Sequence, residues 1–226
     1  MRTCPEKQTR NDYFKVQIER SRLKFRYCKV SAGCVIRWKE IISRSNDNKI
    51  VGPILCLGTR NGREVDLFRA IFFSSRLKRS IVKISERKMY AFSSRFPQLE
   101  SFGKSSLKDI NSTSVVGVEL NPDGKRKDVW TGSFDEMPAE WGQKFKIVFS
   151  NCLDHALDPY RVAKEWFRVL APGGHIILSF VGESTEPTLM DPVGKITLDD
   201  IKSLLPGELV YFNKFGNVFQ DVIIKK

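Results

Sequence analysis

The chain has 226 residues, 41 % of them hydrophobic and 28 % charged, which suits one α/β domain with some embellishment and excludes both a disordered chain and two large domains. The formal charge of +12 is unevenly spread: residues 1–50 carry 13 basic and 5 acidic side chains and residues 69–110 carry 10 and 3, while the remainder is slightly acidic. Two basic additions therefore attach to a module with no cationic excess of its own.

In chain order, residues 1–50 contain a basic stretch of no assigned structure and then a helix at Val35–Ser43, marked by Val35, Trp38, Ile41 and Ile42. From Val51 onward, short apolar runs alternate with helical patterns, the signature of a parallel sheet built from βαβ units. Ile54–Leu57 is the first strand, and Val65, Phe68 and Phe72 give Arg63–Phe73 a helical face. Residues 74–111 are a basic insertion: Phe73, Leu77, Ile81 and Ile84 line one side of a helix bearing Arg76, Arg79, Lys83 and Arg87, and Ser93–Ser114 reads as loop. The next strands are Val115–Leu120, Asp128–Thr131 and Ile147–Ser150. Pro159 opens a helix with Val162, Trp166, Phe167 and Leu170 on its apolar face, ended by Pro172-Gly173-Gly174. His175–Val181 is a buried strand and Thr197–Leu205 a short helix capped by Thr197 or Asp199. Val210–Phe215 and Val218–Ile224, joined through Gly216-Asn217, form an antiparallel hairpin that closes the sheet.

Cys4, Cys28, Cys34, Cys56 and Cys152 are odd in number and never in a C-x-x-C pair, so neither a disulfide framework nor a metal centre is expected and a reducing, cytoplasmic setting fits. No run approaches the roughly 18 apolar residues of a membrane span, so no integral membrane segment is expected. The arginine-rich N-terminus leaves organelle import open, although Glu6, Asp12 and Glu19 weigh against it.

A glycine-bearing turn between strand and helix lets backbone N–H groups approach a ligand with no Cβ in the way, and Gly58-Thr59-Arg60-Asn61-Gly62 stands there. Glu119 ends the second strand, where a carboxylate can accept hydrogen bonds from both hydroxyls of a ribose or simply face solvent. With Gly132–Pro138, Phe145–His155 and Arg168–Gly174, these blocks resemble, in order and approximate spacing, the class I S-adenosylmethionine-dependent methyltransferases, in particular domains of the type 11 kind. The resemblance covers Val51 to about Val181 and implies a Rossmann-like, doubly wound, mostly parallel sheet with helices on both faces. Residues 51–226 would be the methyltransferase domain and residues 1–50 a basic extension.

The resemblance implies S-adenosyl-L-methionine as cofactor. Gly58, Thr59 and Gly62 would line its methionine end, Glu119 would hold the ribose, and Leu120, Ser133 and Phe134 would flank the adenine. Asn151 and Cys152 would pass close to the sulfonium. Three residues depart from the family pattern: Cys56 stands for an acid, Arg60 for the middle glycine of the turn, and Ser133 for an aspartate. Asp135 either supplies that missing carboxylate or faces the surface. A bound sulfonium is an activated methyl donor, so the chain needs mainly to align the acceptor and exclude water. A base is required only if the acceptor must lose a proton, and His155 is the candidate beside Asp154. The segment Gly182–Gly194 forms either an acceptor-side lid or an ordinary connection. The basic regions are consistent with RNA or another polyanion as acceptor or partner, a small molecule being the other choice. The alternative to catalysis is a methyltransferase-like scaffold that binds nucleic acid or an anionic membrane surface.

Overall fold

The computed structural model describes residues 9–25, 28–46, 52–73, 106–181, 186–215 and 219–226. A seven-stranded sheet comprises β1 (Ile54–Leu57), β2 (Val115–Glu119), β3 (Val129–Thr131), β4 (Phe145–Ser150), β5 (Leu170–Val181), β6 (Glu208–Phe215) and β7 (Phe219–Lys225), in the order β3-β2-β1-β4-β5-β7-β6. The first five strands are mutually parallel, and β7 runs antiparallel to both β5 and β6. The helices are α1 (Arg10–Leu23), α2 (Ala32–Ser45), α3 (Arg63–Phe73), α4 (Pro159–Val169) and α5 (Leu198–Leu204). The Rossmann-like, doubly wound architecture is the one expected.

Alternation along each strand divides the core into two layers. Leu55, Leu57, Val116 and Val118 face the layer holding Val162, Trp166 and Ile201 of α4 and α5. Ile54, Cys56 and Val115 face the layer of α2 and α3. There Val35, Trp38 and Ile42 recur at helical spacing, and the fully buried Trp38 stacks on Phe149 at 5.4 Å while its Nε1 donates to Asp221 at 3.0 Å. The indole thus ties the expected N-terminal helix to the far end of the sheet.

Several strand ends shift by one or two residues from expectation, and three larger differences follow. The basic stretch ahead of α2 is itself a helix, α1, capped by Thr9, whose side chain accepts from the Asp12 N–H at 3.2 Å. The helix at Val35–Ser43 is longer, Ala32–Ser45, because the Ser31 side chain caps it three residues earlier. The helix from Pro159 ends at Val169, not at Pro172-Gly173-Gly174: a proline disfavours helical geometry at the residue before it, so the chain turns extended and β5 begins at Leu170. Of the two caps expected for α5, Thr197 is the one used, in a reciprocal box with Asp200. The basic helix placed at the start of the 74–111 insertion, most of the Ser93–Ser114 loop and the turn at Gly216-Asn217 lie outside the described residues. Residues 106–114, within that loop, carry only an isolated bridge between Ser106 and Asp109. Among the described residues no helix is long and apolar enough to cross a membrane.

Candidate functional site

Where β1, β2 and β4 end, their C-terminal loops and α1 enclose a cavity of about 730 Å³, counting its mouth open to solvent. This is the crevice at which open parallel sheets bind ligands. Of the residues singled out from sequence, Gly58, Glu119, Leu120, Ser133, Phe134 and Cys152 line it, as does His155. Thr59, Gly62 and Asn151 do not.

The turn after β1 is shaped by close approaches. Gly58 has φ +68, and a Cβ there would come 2.9 Å from the Cys152 Sγ. Arg60 holds the left-handed conformation of the glycine it replaces, at φ 48, a cost of roughly 1–2 kcal/mol for a side chain. Its N–H donates to the Glu119 Oε2 at 2.7 Å, which joins the turn to the end of β2. Arg60 also contributes to the cavity wall. Gly62, expected at the methionine end, instead lies against Arg126, whose Nη1 donates to the Gly62 and Asn61 carbonyls at 3.1 and 3.2 Å. Thr59 is buried, with its Oγ1 toward Gly117 and no hydrogen-bond partner among the described residues.

Glu119 accepts hydrogen bonds through both carboxylate oxygens. Its Oε1 accepts from the Ser21 hydroxyl at 2.9 Å and from the Asn121 N–H at 3.0 Å. The Ser21 hydroxyl stands at the distance a ribose hydroxyl would take, so the carboxylate fits a nucleoside in exchange for that bond. Leu120 and Phe134 add apolar wall, and the Phe134 backbone is fixed by a hydrogen bond from the Trp166 Nε1 to its carbonyl at 3.1 Å. Ser133 donates to Asp135, which also accepts from Arg10 at 3.0 Å. Asp135 therefore faces the cavity, not bulk solvent. Burial pushes the Cys152 thiol up to about 12, so it is a neutral packing group whose Sγ contacts the Ser150 hydroxyl at 3.1 Å.

What the sequence did not signal is the roof. Arg10, Tyr13, Phe14, Gln17, Arg20 and Ser21 of α1 line the cavity. Arg10 pairs with Asp135 and Glu136, Arg22 with Asp123, and Arg20 with Asp191, while the Gln17 side chain donates to the Met190 carbonyl at 2.7 Å. Part of the Gly182–Gly194 segment thus meets α1 at the cavity mouth; residues 182–185 lie outside the described residues. The one advance signal for α1 was Thr9 followed by Asp12, a helix-start pair with no apolar face behind it.

Residues 105–178 match the family model described as "Methyltransferase domain". The fold is shared at TM-score 0.56 with a 1,6-didemethyltoxoflavin-N1-methyltransferase of Burkholderia thailandensis, at 13 % identity over all of this chain and 93 % of that one; its structure holds 1,6-didemethyltoxoflavin and S-adenosylhomocysteine. A second structure with the same TM-score, the [4+2]-cyclase SpnF, is 10 % identical over all of this chain and 99 % of that one. No curated protein matches the sequence. The domain match covers about a third of the chain and the likeness to solved structures shows the fold, so residues 105–178 are similar to a methyltransferase domain set within a Rossmann-like architecture.

Proposed function

We propose that the cavity beneath α1 is where this chain binds S-adenosylmethionine and transfers the methyl group to a small-molecule acceptor. The observation that carries this reading is the Glu119 carboxylate facing the cavity with a hydroxyl at its Oε1 and the Arg60 N–H at its Oε2. Glu119 would bind the ribose, Gly58 would give the methionine end close backbone approach with Cys152 packed behind it, and Leu120 and Phe134 would hold the adenine. Ser133 and Asp135 would meet its polar edge. The bound cofactor supplies an activated methyl group on a sulfonium.

Two features favour a small acceptor over a polymer. The roof helix covers the cavity, and its arginines are committed to the chain's own carboxylates at Asp135, Asp191 and Asp123. Part of the N-terminal positive charge that suggested RNA is therefore neutralised internally. A fold by itself does not choose the reaction, as the cyclase with the same architecture illustrates.

Calorimetric titration tests the reading directly. Both S-adenosylmethionine and S-adenosylhomocysteine should bind, and Glu119→Ala should weaken binding about 10- to 100-fold, the range expected for losing hydrogen bonds to a charged group. No binding by the wild-type chain would overturn it.

A further inference from the structure

Among the described residues one imidazole lines the cavity, and it stands in a built setting. His155 sits on the short 3₁₀ turn Leu153–His155 just beyond β4, lines the cavity, and is 15 % exposed. Its Nδ1 lies 2.7 Å from the Asp191 Oδ1, a contact within hydrogen-bond reach but off the N–H axis. Such contacts commonly align only when substrate is present. Its Nε2 lies 3.9 Å from the Asp154 Oδ1, too far for a hydrogen bond.

Asp191 is held in place from three sides. Its N–H donates to the Thr188 hydroxyl and its carbonyl accepts from the Thr188 N–H, each at 2.9 Å. Arg20 of α1 pairs with its carboxylate, and two residues on, the buried Val193 donates its N–H to the Asp154 carbonyl at 3.2 Å. The carboxylate is held well below its usual range by His155 and Arg20, which outweigh the opposing effect of burial.

We infer that His155 is a general base that removes the proton from a hydroxyl acceptor, and that Asp191 is the positioning residue that holds the imidazole for it. This rests on the methyltransferase reading above and adds the acceptor class: a small molecule methylated on oxygen. The chemistry decides between acceptors. A neutral amine can attack through its lone pair and lose its proton afterwards, whereas a hydroxyl needs its proton taken as the bond forms. In the step, the acceptor oxygen bonds to the methyl carbon while its O–H proton passes to Nε2. The electron pair of the breaking C–S bond stays on sulfur, leaving a neutral thioether, and the imidazolium is stabilised by Asp191 until it releases the proton to water.

The same three groups, Asp154, His155 and Asp191, have ligand atoms close enough to hold a metal. Arg20 already occupies Asp191 as its cation, which disfavours that role.

The test uses the intact chain, methyl-labelled S-adenosylmethionine and a small-molecule cell extract as probe, with the product linkage identified by mass spectrometry and S-adenosylhomocysteine binding measured on the same preparations. The expected product is an O-methyl ether. His155→Asn should lower kcat about 100-fold or more, the usual worth of a general base, while S-adenosylhomocysteine binding stays within about threefold. The charged and titratable groups around His155 are Asp154 and Cys152 near its own turn, Asp191 ahead of α5, and Arg20 and Tyr13 from α1. Wild-type kcat should rise with pH to a plateau, Asp191→Asn should move that rise to lower pH, and a chelator should change nothing. An N- or C-methylated product, full activity in His155→Asn, or loss of activity with chelator would each overturn the inference. So would intact S-adenosylhomocysteine binding with no transfer in any fraction. Absence of binding as well would sink the methyltransferase reading beneath it.

Discussion

The Ser21 hydroxyl donates to the Glu119 Oε1 across 98 positions of sequence, at 2.9 Å. A residue of the roof thus makes the hydrogen bond a ribose hydroxyl would make, and roof and nucleoside share one carboxylate. Ser21→Ala should therefore tighten S-adenosylhomocysteine binding about fivefold, the value of one ordinary hydrogen bond of about 1 kcal/mol, while lowering thermal stability slightly. Calorimetry on the variant decides it. Weaker binding would mean that Ser21 assists the ribose and does not compete with it.

The turn after β1 depends on a network outside the cavity. The buried Arg69 donates to the Asp128 Oδ2 at 2.6 Å and to the Val115 carbonyl at 3.0 Å, and Arg126 bridges Asp66 and Asp128 while holding the Asn61 and Gly62 carbonyls. Removing one member of such a buried set leaves uncompensated charge. Arg69→Ala should cost about 3–5 kcal/mol in chemical denaturation. Arg126→Met, which touches no cavity wall, should weaken S-adenosylhomocysteine binding severalfold by loosening the turn.

These relationships show which parts of the molecule the sequence could express. Strands β1, β2 and β4 were legible because a parallel strand covered on both faces is an unbroken apolar run, and α2 because Val35, Trp38 and Ile42 recur at helical spacing. Gly58 and Glu119 were legible because their chemistry is local: a glycine where backbone must approach, an acid at a strand end. Helix α1 was not, since only Tyr13 and Ser21 of its residues are buried and ion pairs, not an apolar stripe, hold it. Asp191 was missed for a related reason. It lies in an irregular segment whose partners, His155 and Arg20, are 36 and 171 positions away, and no period encodes such a pairing.

Glu64, in the first turn of α3, is a buried acid, and burial pushes its carboxyl up to about 7 from 4.5. The folded chain therefore prefers the protonated form. The stability linked to this group is fully present below about pH 4.5 and is lost as pH rises through about 7. Glu64→Gln, which is neutral throughout, should stabilise the chain by on the order of 3 kcal/mol at pH 8 and by almost nothing at pH 4. Denaturant titrations of both proteins at the two pH values test this, and a gain that does not depend on pH would refute the assignment.

Two of the ion pairs that hold α1 are substantially exposed: Arg22 and Asp123 are each 53 % exposed, and the Arg10 side chain is 38 % exposed, while Arg20 and Asp191 are more sheltered. Exposed pairs contribute only about 0.2–1 kcal/mol each and weaken with salt, whereas α2 and α3 are held by buried aromatic contacts such as Trp38 against Phe68 and Phe149. Opening of α1 should therefore be the salt-sensitive motion of the molecule. Hydrogen exchange should show α1 amides exchanging faster than those of α2 and α3, and severalfold faster again on going from ~0.05 to ~0.5 M NaCl, with α2 and α3 unchanged. Replacing Arg10, Arg20 and Arg22 together by Gln should reproduce the high-salt exchange pattern at low salt. Uniform exchange across the three helices would show that α1 is packed as tightly as the core, and access to Glu119 would then have to come through some other motion.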